Sequence, residues 1–229
     1  MIFFILEALA RRPEMLPVVL LAYLGGLVLA FTLHELAHAV VASWLGDPTP
    51  RGYGRLTLNP LAHLDPIGLI LILLAGFGWA KPVPFNPARL RGGPRLGSGL
   101  VAVAGPAMNL LLALLFALPV RAGLVGFSGG LPASYADLEG IGQFLCTANI
   151  SLNVLLAVFN LLPIAPLDGF RLAVALAPRE LAATLLRFEP YGMVVLFGLF
   201  ALGYVFRIDV FGSTIGPVIS GTTRVLVGI

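Results

Sequence analysis

The chain has 229 residues, of which 59% are hydrophobic and only 11% are charged, with a mean hydropathy of +0.98. A soluble domain carries about 25% charged residues, so the composition excludes an ordinary soluble protein. It predicts one all-α, polytopic membrane domain over residues 1–229, a bundle of four to six transmembrane helices. The formal net charge of +3 is too small to indicate a nucleic-acid-binding protein, and the single Cys146 excludes an internal disulfide.

The N-terminal segment is apolar but lacks the pattern of a secretory signal peptide. Glu7 interrupts the apolar stretch, and Arg11-Arg12 follow it, whereas a signal peptide carries its basic residues first. We therefore predict a helix that lies in the membrane interface. The first spanning helix is predicted over residues 16–44, longer than the ~20 residues that a bilayer requires.

The chain between the first two predicted spans should contain a short β or re-entrant segment. Polar and apolar residues alternate over 55–58, which favours an extended segment within 51–58. Residues 65–80 are apolar but shorter than the ~20 residues of a span, which is typical of re-entrant segments. We expect 55–58 or 83–86 to provide an edge to which an unwound peptide could bind.

The remainder of the chain should contain three further spans, at 97–120, 142–162 and 191–206. Residues 163–190 are expected outside the hydrocarbon, with a short helix from Asp168, while the pattern of 209–229 supports no assignment. No internal repeat is visible, which counts against the repeat-built transporter folds.

Basic residues are concentrated in the loops that follow the first and third predicted spans. The loop between the second and third spans has only Arg121, together with Asp137 and Glu139. The positive-inside rule therefore predicts that the ends of the first and third spans face the cytoplasm.

Two histidines end the long apolar run of the first span, in the order His34-Glu35-Leu36-Ala37-His38. Residues four apart share a helix face, so both imidazoles can bind one zinc ion. Glu35 is turned by roughly 100° and can reach a water molecule, so we predict that it is the general base. A lone histidine is more often structural, as we expect for His63, but ionisable groups in hydrocarbon cost roughly 2.5–3.5 kcal/mol and are usually functional.

Asp168 is the best-placed third metal ligand, because it follows the third span on the same predicted side. Asp47 and Asp65 lie in Asp-Pro turns, where capping explains them. Glu180 and Glu189 remain alternatives. Asp168 could instead be the N-cap of the helix that follows it.

A stripe of amides marks the third span. Asn149, Asn153 and Asn160 share one helix face, and Asn109 lies within the second span. Amides in membrane helices often bond to a neighbouring helix. The functional interpretation is that Asn160 is catalytic and stabilises an oxyanion, and that Asn109 and Asn153 bind substrate.

These motifs resemble those of the site-2 proteases, a family of intramembrane zinc metalloproteases. Their first signature is the 34–38 pentapeptide, and their second, Asn-x-x-Pro-x-x-x-x-Asp-Gly, is present at 160–169. Residues 54–68 and 78–84 are similar to a compact prokaryotic branch without PDZ or CBS domains. The resemblance implies that His34, His38 and Asp168 bind one Zn²⁺. It also implies that Glu35 is the base and that Asn160 assists the substrate or the oxyanion.

The same resemblance implies a multi-pass protein of a prokaryotic cell membrane that cleaves transmembrane segments of other membrane proteins, as in regulated intramembrane proteolysis. A membrane metal or ion transporter is the alternative, but it predicts polar residues along a continuous route, whereas the ionisable ones cluster at one end of the spans. An inactive homologue is disfavoured because Glu35 is present. A zinc protease with a downstream Glu ligand is disfavoured by the Asp168-Gly169 motif.

Overall fold

A computed structural model describes residues 2–75, 78–206 and 210–229, and these residues form an all-α protein without a β-sheet. The helices are α1 (Ile2–Arg11), α2 (Pro13–Trp44), α3 (Thr49–Gly52), α4 (Pro66–Ala75), α5 (Gly93–Arg121), α6 (Leu138–Asn160), α7 (Asp168–Leu176), α8 (Arg179–Phe188), α9 (Gly192–Phe206), α10 (Val210–Thr214) and α11 (Gly216–Val227). Short 3₁₀ turns lie at Pro60–Ala62, Pro87–Arg89 and Glu189–Tyr191, and α2 contains a π turn at Leu21–Gly25. The predicted fold class is confirmed.

Four helices among the described residues are long and apolar enough to cross a membrane: α2, α5, α6 and Arg179–Gly203. The fourth begins earlier than the sequence pattern indicated, because α8 continues through the Glu189–Tyr191 turn into α9. Pro190 lies at the beginning of that turn, where a missing N–H group costs little, so it does not interrupt the helix.

Small residues bring the spans into contact. Ala113 and Ala117 of α5 pack against Ile150 and Val154 of α6, and the C-terminal Val227 joins this cluster. This contact places α11, to which the sequence pattern assigned no structure, against the two central spans. Leucines on the opposite side of α5 are exposed, as expected for a face that meets lipid (Leu111, Leu115 and Leu118).

The segment around α4 returns to where it started, as the re-entrant prediction required. Leu64 and Ala80 form an isolated antiparallel bridge, so both ends of the segment lie side by side. Gly68 packs so closely against the backbone of Trp79 that it has no room for a Cβ atom. A ten-residue helix is only about 15 Å long, half of the ~30 Å hydrocarbon thickness.

The strand predicted within 51–58 is wrong. Residues 49–52 form α3 instead, and 53–58 are irregular. The buried Arg55 side chain donates hydrogen bonds to the carbonyls of Lys81 (2.8 Å) and Pro82 (3.0 Å). The ring of His63 donates to the carbonyl of Thr57 (2.8 Å). Side chains therefore bind the backbone groups of this region that a neighbouring strand would otherwise have bound.

Asp47 has the capping role expected of it. Its fully buried carboxylate accepts bonds from the backbone N–H and hydroxyl of Thr49 (3.1 and 2.6 Å) and from the backbone N–H of Asn86 (2.6 Å). Burial alone would raise the pKa of Asp47, but these hydrogen bonds outweigh it and hold the pKa below its usual value. Asp47 thereby ties the end of α2 to the loop before α5.

Candidate metal centre

The two predicted histidine ligands lie next to each other on one face of α2. Their Nε2 atoms are 3.1 Å apart, and their rings are nearly perpendicular at 84°. Both side chains are buried, with exposed fractions of 4% for His34 and 7% for His38. The one-turn spacing in the sequence is therefore sufficient to bring two nitrogen atoms to one point.

The other ring nitrogens identify the tautomer of each histidine. His34 Nδ1 lies 2.5 Å from Oδ1 of Asn109, and His38 Nδ1 lies 2.7 Å from the carbonyl oxygen of Val101. Both partners are acceptors, so each Nδ1 carries the hydrogen and donates it. Each neutral imidazole consequently presents the lone pair of Nε2 to the other side, which is the form that binds a metal ion.

Asp168 completes a set of three candidate ligand atoms. Its Oδ2 atom lies 3.1 Å from His34 Nε2 and 3.3 Å from His38 Nε2. Asp168 is the first residue of α7, and the N-cap position is Leu167. Oδ2 of Asp168 is buried and receives no hydrogen bond from the residues that the structure describes, so this oxygen is directed at the histidines.

Zinc fits this arrangement. Three lone-pair atoms at 3.1–3.3 Å from one another repel each other unless a cation lies between them. Ligand atoms of a tetrahedral zinc ion with bonds of about 2.0 Å are separated by roughly 3.3 Å. Two imidazoles and one carboxylate form a ligand set that leaves the fourth position of a catalytic zinc ion open.

Glu35 lies beside this set, as its position on α2 predicted. It is buried, with an exposed fraction of 8%, and one of its oxygens lies within 4.8 Å of a ligand nitrogen of each histidine. Asp168 approaches both imidazoles more closely, at 3.1–3.3 Å. The geometry therefore favours Asp168 as the ligand and leaves the Glu35 carboxylate available to a water molecule.

Gly105 of α5 is a part of the site that the motifs did not identify. A Cβ atom at this position would overlap with Nε2 of His38 and with Nε2 and Cε1 of His34. The backbone of α5 therefore lies directly against the ligand atoms. A Gly-Pro pair such as Gly105-Pro106 is typical of a close approach of helices, but local sequence does not show that the neighbour is the histidine pair.

Two contacts fasten α7 and thereby position Asp168. Gly169 lies against the carbonyl oxygens of Leu161 and Leu162, where a side chain would not fit. At the other end of α7, the Arg95 guanidinium donates to the carbonyls of Val174 (3.2 Å), Ala175 (3.1 Å) and Ala177. Gly169 is therefore required by the close packing at this position, and Arg95 holds the other end of α7.

The predicted asparagines are divided between two environments. Asn109 and Asn153 are fully buried behind His34, and their role in substrate binding stays a prediction. Asn160 is partly exposed at the end of α6, with its amide group donating to the carbonyl of Leu156 (2.9 Å). In the described part of the chain no hydrogen bond joins Asn160 to the three ligand residues, so its catalytic role also stays a prediction.

The alternative third ligands are not brought to the histidines. Glu180 is exposed on α8. The carboxylate of Glu189 is partly exposed and lies 3.9 Å from the guanidinium of Arg171. Asp168 is the predicted candidate that the fold places beside both imidazoles.

Curated relatives are similar over much of the chain. It is 47% identical over 186 residues to "Putative zinc metalloprotease YwhC" of Bacillus subtilis, covering 80% of this chain and 82% of that protein. It is 33% identical over 166 residues to "Putative zinc metalloprotease Rip2" of Mycolicibacterium smegmatis, covering 69% and 58%. Rip2 of Mycobacterium tuberculosis is 31% identical over 152 residues, covering 64% and 54%. No family model and no solved structure gives a significant match.

Proposed function

This chain belongs to the site-2 protease type of zinc metalloproteases, and from that premise we propose that it hydrolyses peptide bonds in or near the transmembrane segments of other membrane proteins. The observation that carries the proposal is the convergence of His34, His38 and Asp168 beside Glu35. Both histidines and Glu35 belong to a helix apolar enough to cross a membrane. A peptide bond that reaches these residues must therefore come from within or beside the bilayer.

The reaction assigned to these residues is the addition of water across an amide. His34, His38 and Asp168 would hold one zinc ion, which supplies Lewis-acid chemistry by acidifying water and polarising a carbonyl group. Glu35 accepts a proton from the attacking water while the oxygen of that water bonds to the carbonyl carbon. Glu35 then returns that proton to the amide nitrogen as the C–N bond breaks. Asn160 is proposed to bind the substrate or the developing oxyanion.

A helical substrate must unwind locally before attack, because its amides are bonded within the helix. The proposed binding edge is residues 83–86, since within 55–58 the carbonyl of Thr57 is already bonded to His63. Asn86 has extended dihedral angles (φ −105°, ψ 106°), but its N–H is already bonded to Asp47. Val83 and Phe85 therefore remain as the backbone donors of this short segment, between prolines that have none.

We further propose that the site faces the cytoplasm of a prokaryotic cell, since basic residues are concentrated in the segments that follow α2 and α6. The transporter alternative is not favoured. Beyond His34, the described part of the interior contains the amides of Asn109, Asn153 and Asn149, which are at most 4% exposed. Asn109 is hydrogen-bonded to Asn153, and Asn153 to the backbone carbonyl of Asn149, and neutral, bonded amides do not form an ion path.

Replacement of Glu35 by glutamine tests the proposal. Cleavage would be measured in proteoliposomes that contain a panel of single-span membrane peptides. The rate should fall by about 10²–10⁴-fold, the range for loss of a general base. Bound zinc should remain at the wild-type level, because Glu35 is not a ligand. Glu180→Gln, the same change at an exposed position of α8, serves as the matched control and should retain activity.

Three other results would contradict specific parts of the proposal. Wild-type cleavage by Glu35→Gln would refute the base assignment, and loss of zinc from this variant would make Glu35 a ligand. If the wild type cleaves water-soluble peptides but none of the membrane peptides, the chain is a zinc protease but not an intramembrane one.

A further inference from the structure

A chain of buried amides continues from His34 into the interior of the bundle. Asn109 Oδ1 accepts from His34 Nδ1 (2.5 Å), and Asn109 Nδ2 donates to Asn153 Oδ1 (2.9 Å). Asn153 Nδ2 in turn donates to the backbone carbonyl of Asn149 (2.9 Å). Asn109 and Asn153 have exposed fractions of 0%, so water cannot replace either partner.

We propose that Asn109 and Asn153 are positioning residues of the metal centre, a relay that fixes the tautomer and the ring orientation of His34. This inference rests on the proposed zinc site and assigns to both residues a role other than the substrate binding predicted from sequence. It implies that the metal affinity of the protein depends on an amide two hydrogen bonds away from the nearest ligand.

The direction of the relay follows from its last member. A backbone carbonyl can only accept, so the Asn149 carbonyl requires the NH₂ group of Asn153 to face it. The oxygen of Asn153 must then face Asn109, which directs the NH₂ group of Asn109 towards Asn153 and its oxygen towards His34. An oxygen at that position requires a hydrogen on His34 Nδ1 and leaves the lone pair of Nε2 for the metal. Reversal of one amide would oppose like groups in a dry interior.

The two histidines are consequently held by different means. His38 Nδ1 is bonded directly to a backbone carbonyl, that of Val101 (2.7 Å), which no substitution removes. His34 depends on side chains from α5 and α6. Partners of this kind typically change metal affinity 10- to 100-fold when they are removed, so the relay predicts a measurable effect from substitutions in α6.

Metal affinity of the full-length, detergent-purified protein tests the relay without reference to proteolysis. Zn²⁺ dissociation constants would be measured by competition with a chromophoric chelator, and the Co²⁺ form by its visible absorption. Asn109→Leu keeps the branching and the number of side-chain heavy atoms but has no acceptor, and its affinity should fall 10- to 100-fold. Asn109→Asp retains the oxygen acceptor for His34 and loses only the donor to Asn153, so its Zn²⁺ affinity should fall by less than about 10-fold, the lower limit expected for Asn109→Leu, with an unchanged Co²⁺ spectrum.

A double-mutant comparison tests the second step. Asn153→Leu should weaken Zn²⁺ binding, but Asn109→Leu/Asn153→Leu should bind no more weakly than Asn109→Leu alone, because Asn153 acts through Asn109. Asn149→Ala is the control, since Asn149 contributes its backbone carbonyl, and its affinity should stay within threefold. Thermal unfolding of the metal-free proteins separates loss of affinity from loss of fold.

Several outcomes would overturn the inference. Wild-type affinity in Asn109→Leu would show that His34 needs no acceptor. Equal losses in Asn109→Asp and Asn109→Leu would show that the acceptor is not what matters. If the loss of Zn²⁺ affinity in the double variant equals the product of the losses in the two single variants, Asn153 acts independently of Asn109. If Asn109→Leu does not fold, the zinc affinities of Asn109→Asp and Asn153→Leu still test the relay. None of these results depends on cleavage, so failure of the relay is distinct from failure of the Glu35 assignment.

Discussion

Gly105→Ala offers a stringent test of the site geometry, because one methyl group would be placed among the ligand atoms. The added Cβ would lie 2.5 Å from both Nε2 and Cε1 of His34 and would also overlap with Nε2 of His38. Non-bonded carbon atoms prefer about 3.5–4.0 Å, so the imidazoles must retreat by about an ångström. Zinc–ligand distances tolerate only about 0.2 Å, so this retreat should break at least one of the bonds to zinc.

The expected loss follows from the energy of a zinc site. A structural zinc ion contributes about 10–16 kcal/mol over four ligands, or about 2.5–4 kcal/mol per ligand. Gly105→Ala should therefore bind Zn²⁺ about 100- to 1,000-fold more weakly. Alanine is the better helix former by about 1 kcal/mol, so α5 itself should not be disrupted. Chelator competition and metal analysis of the purified protein measure the effect.

Gly198→Ala is the matched control, because Gly198 lies on α9 with nothing within 4 Å of an added Cβ atom. It should bind zinc as wild type does and be equally or more stable. If Gly105→Ala retains one tightly bound zinc ion per chain with a dissociation constant within threefold of wild type, the histidines are not held against α5 as described, and the reasoning fails.

Two further predictions concern the supports of the site. Asp47→Asn should lower the melting temperature at neutral pH. Because the pKa of Asp47 is lowered in the folded state, its stabilisation is present above the unfolded pKa of ~3.9 and is lost as pH falls through the folded pKa. The difference between wild type and variant should therefore shrink on acidification below about pH 4, and a constant difference would contradict this account. Arg95→Met should reduce stability by about 1.5–3 kcal/mol, the range for hydrogen bonds from a charged group, and weaken zinc binding because α7 carries Asp168. Arg95→Lys should partly restore both in thermal unfolding and chelator titrations, whereas wild-type zinc affinity in Arg95→Met would show that this end of α7 does not position Asp168.

The sequence was most informative where one helix defines the geometry. His34, Glu35 and His38 are separated by fixed rotations along α2, so spacing alone predicted that both imidazoles face one point. The span positions were predictable for a similar reason, since apolar length is dictated by bilayer thickness. The return of the chain at 65–80 followed from the same length argument, because a segment too short to cross must come back.

The rest depended on contacts between distant segments. The alternation over 55–58 has the period of a strand, but Arg55 turns inward to bind Lys81 and Pro82, and no local pattern reveals a partner 26 residues away. The buried amides were recognisable as unusual in a membrane helix. Whether they bind substrate or support His34 depends on which helix faces them, which periodicity within α6 does not determine.

The second span, α5, explains why the pentapeptide on α2 is not sufficient for a metal site. Val101, Gly105 and Asn109 are spaced by four residues, so they follow one face of α5. His34 contacts Asn109 and His38 contacts Val101, so the two helices run in opposite directions across the site. This face of α5 supplies one hydrogen-bond acceptor at each end, from Val101 and from Asn109. Between them Gly105 has no side chain, which leaves room for the imidazoles. A shift of one residue would rotate this face by about 100° and separate all three from the histidines at once. The zinc site is therefore a property of the α2–α5 register, which brings both lone pairs to the carboxylate of α7.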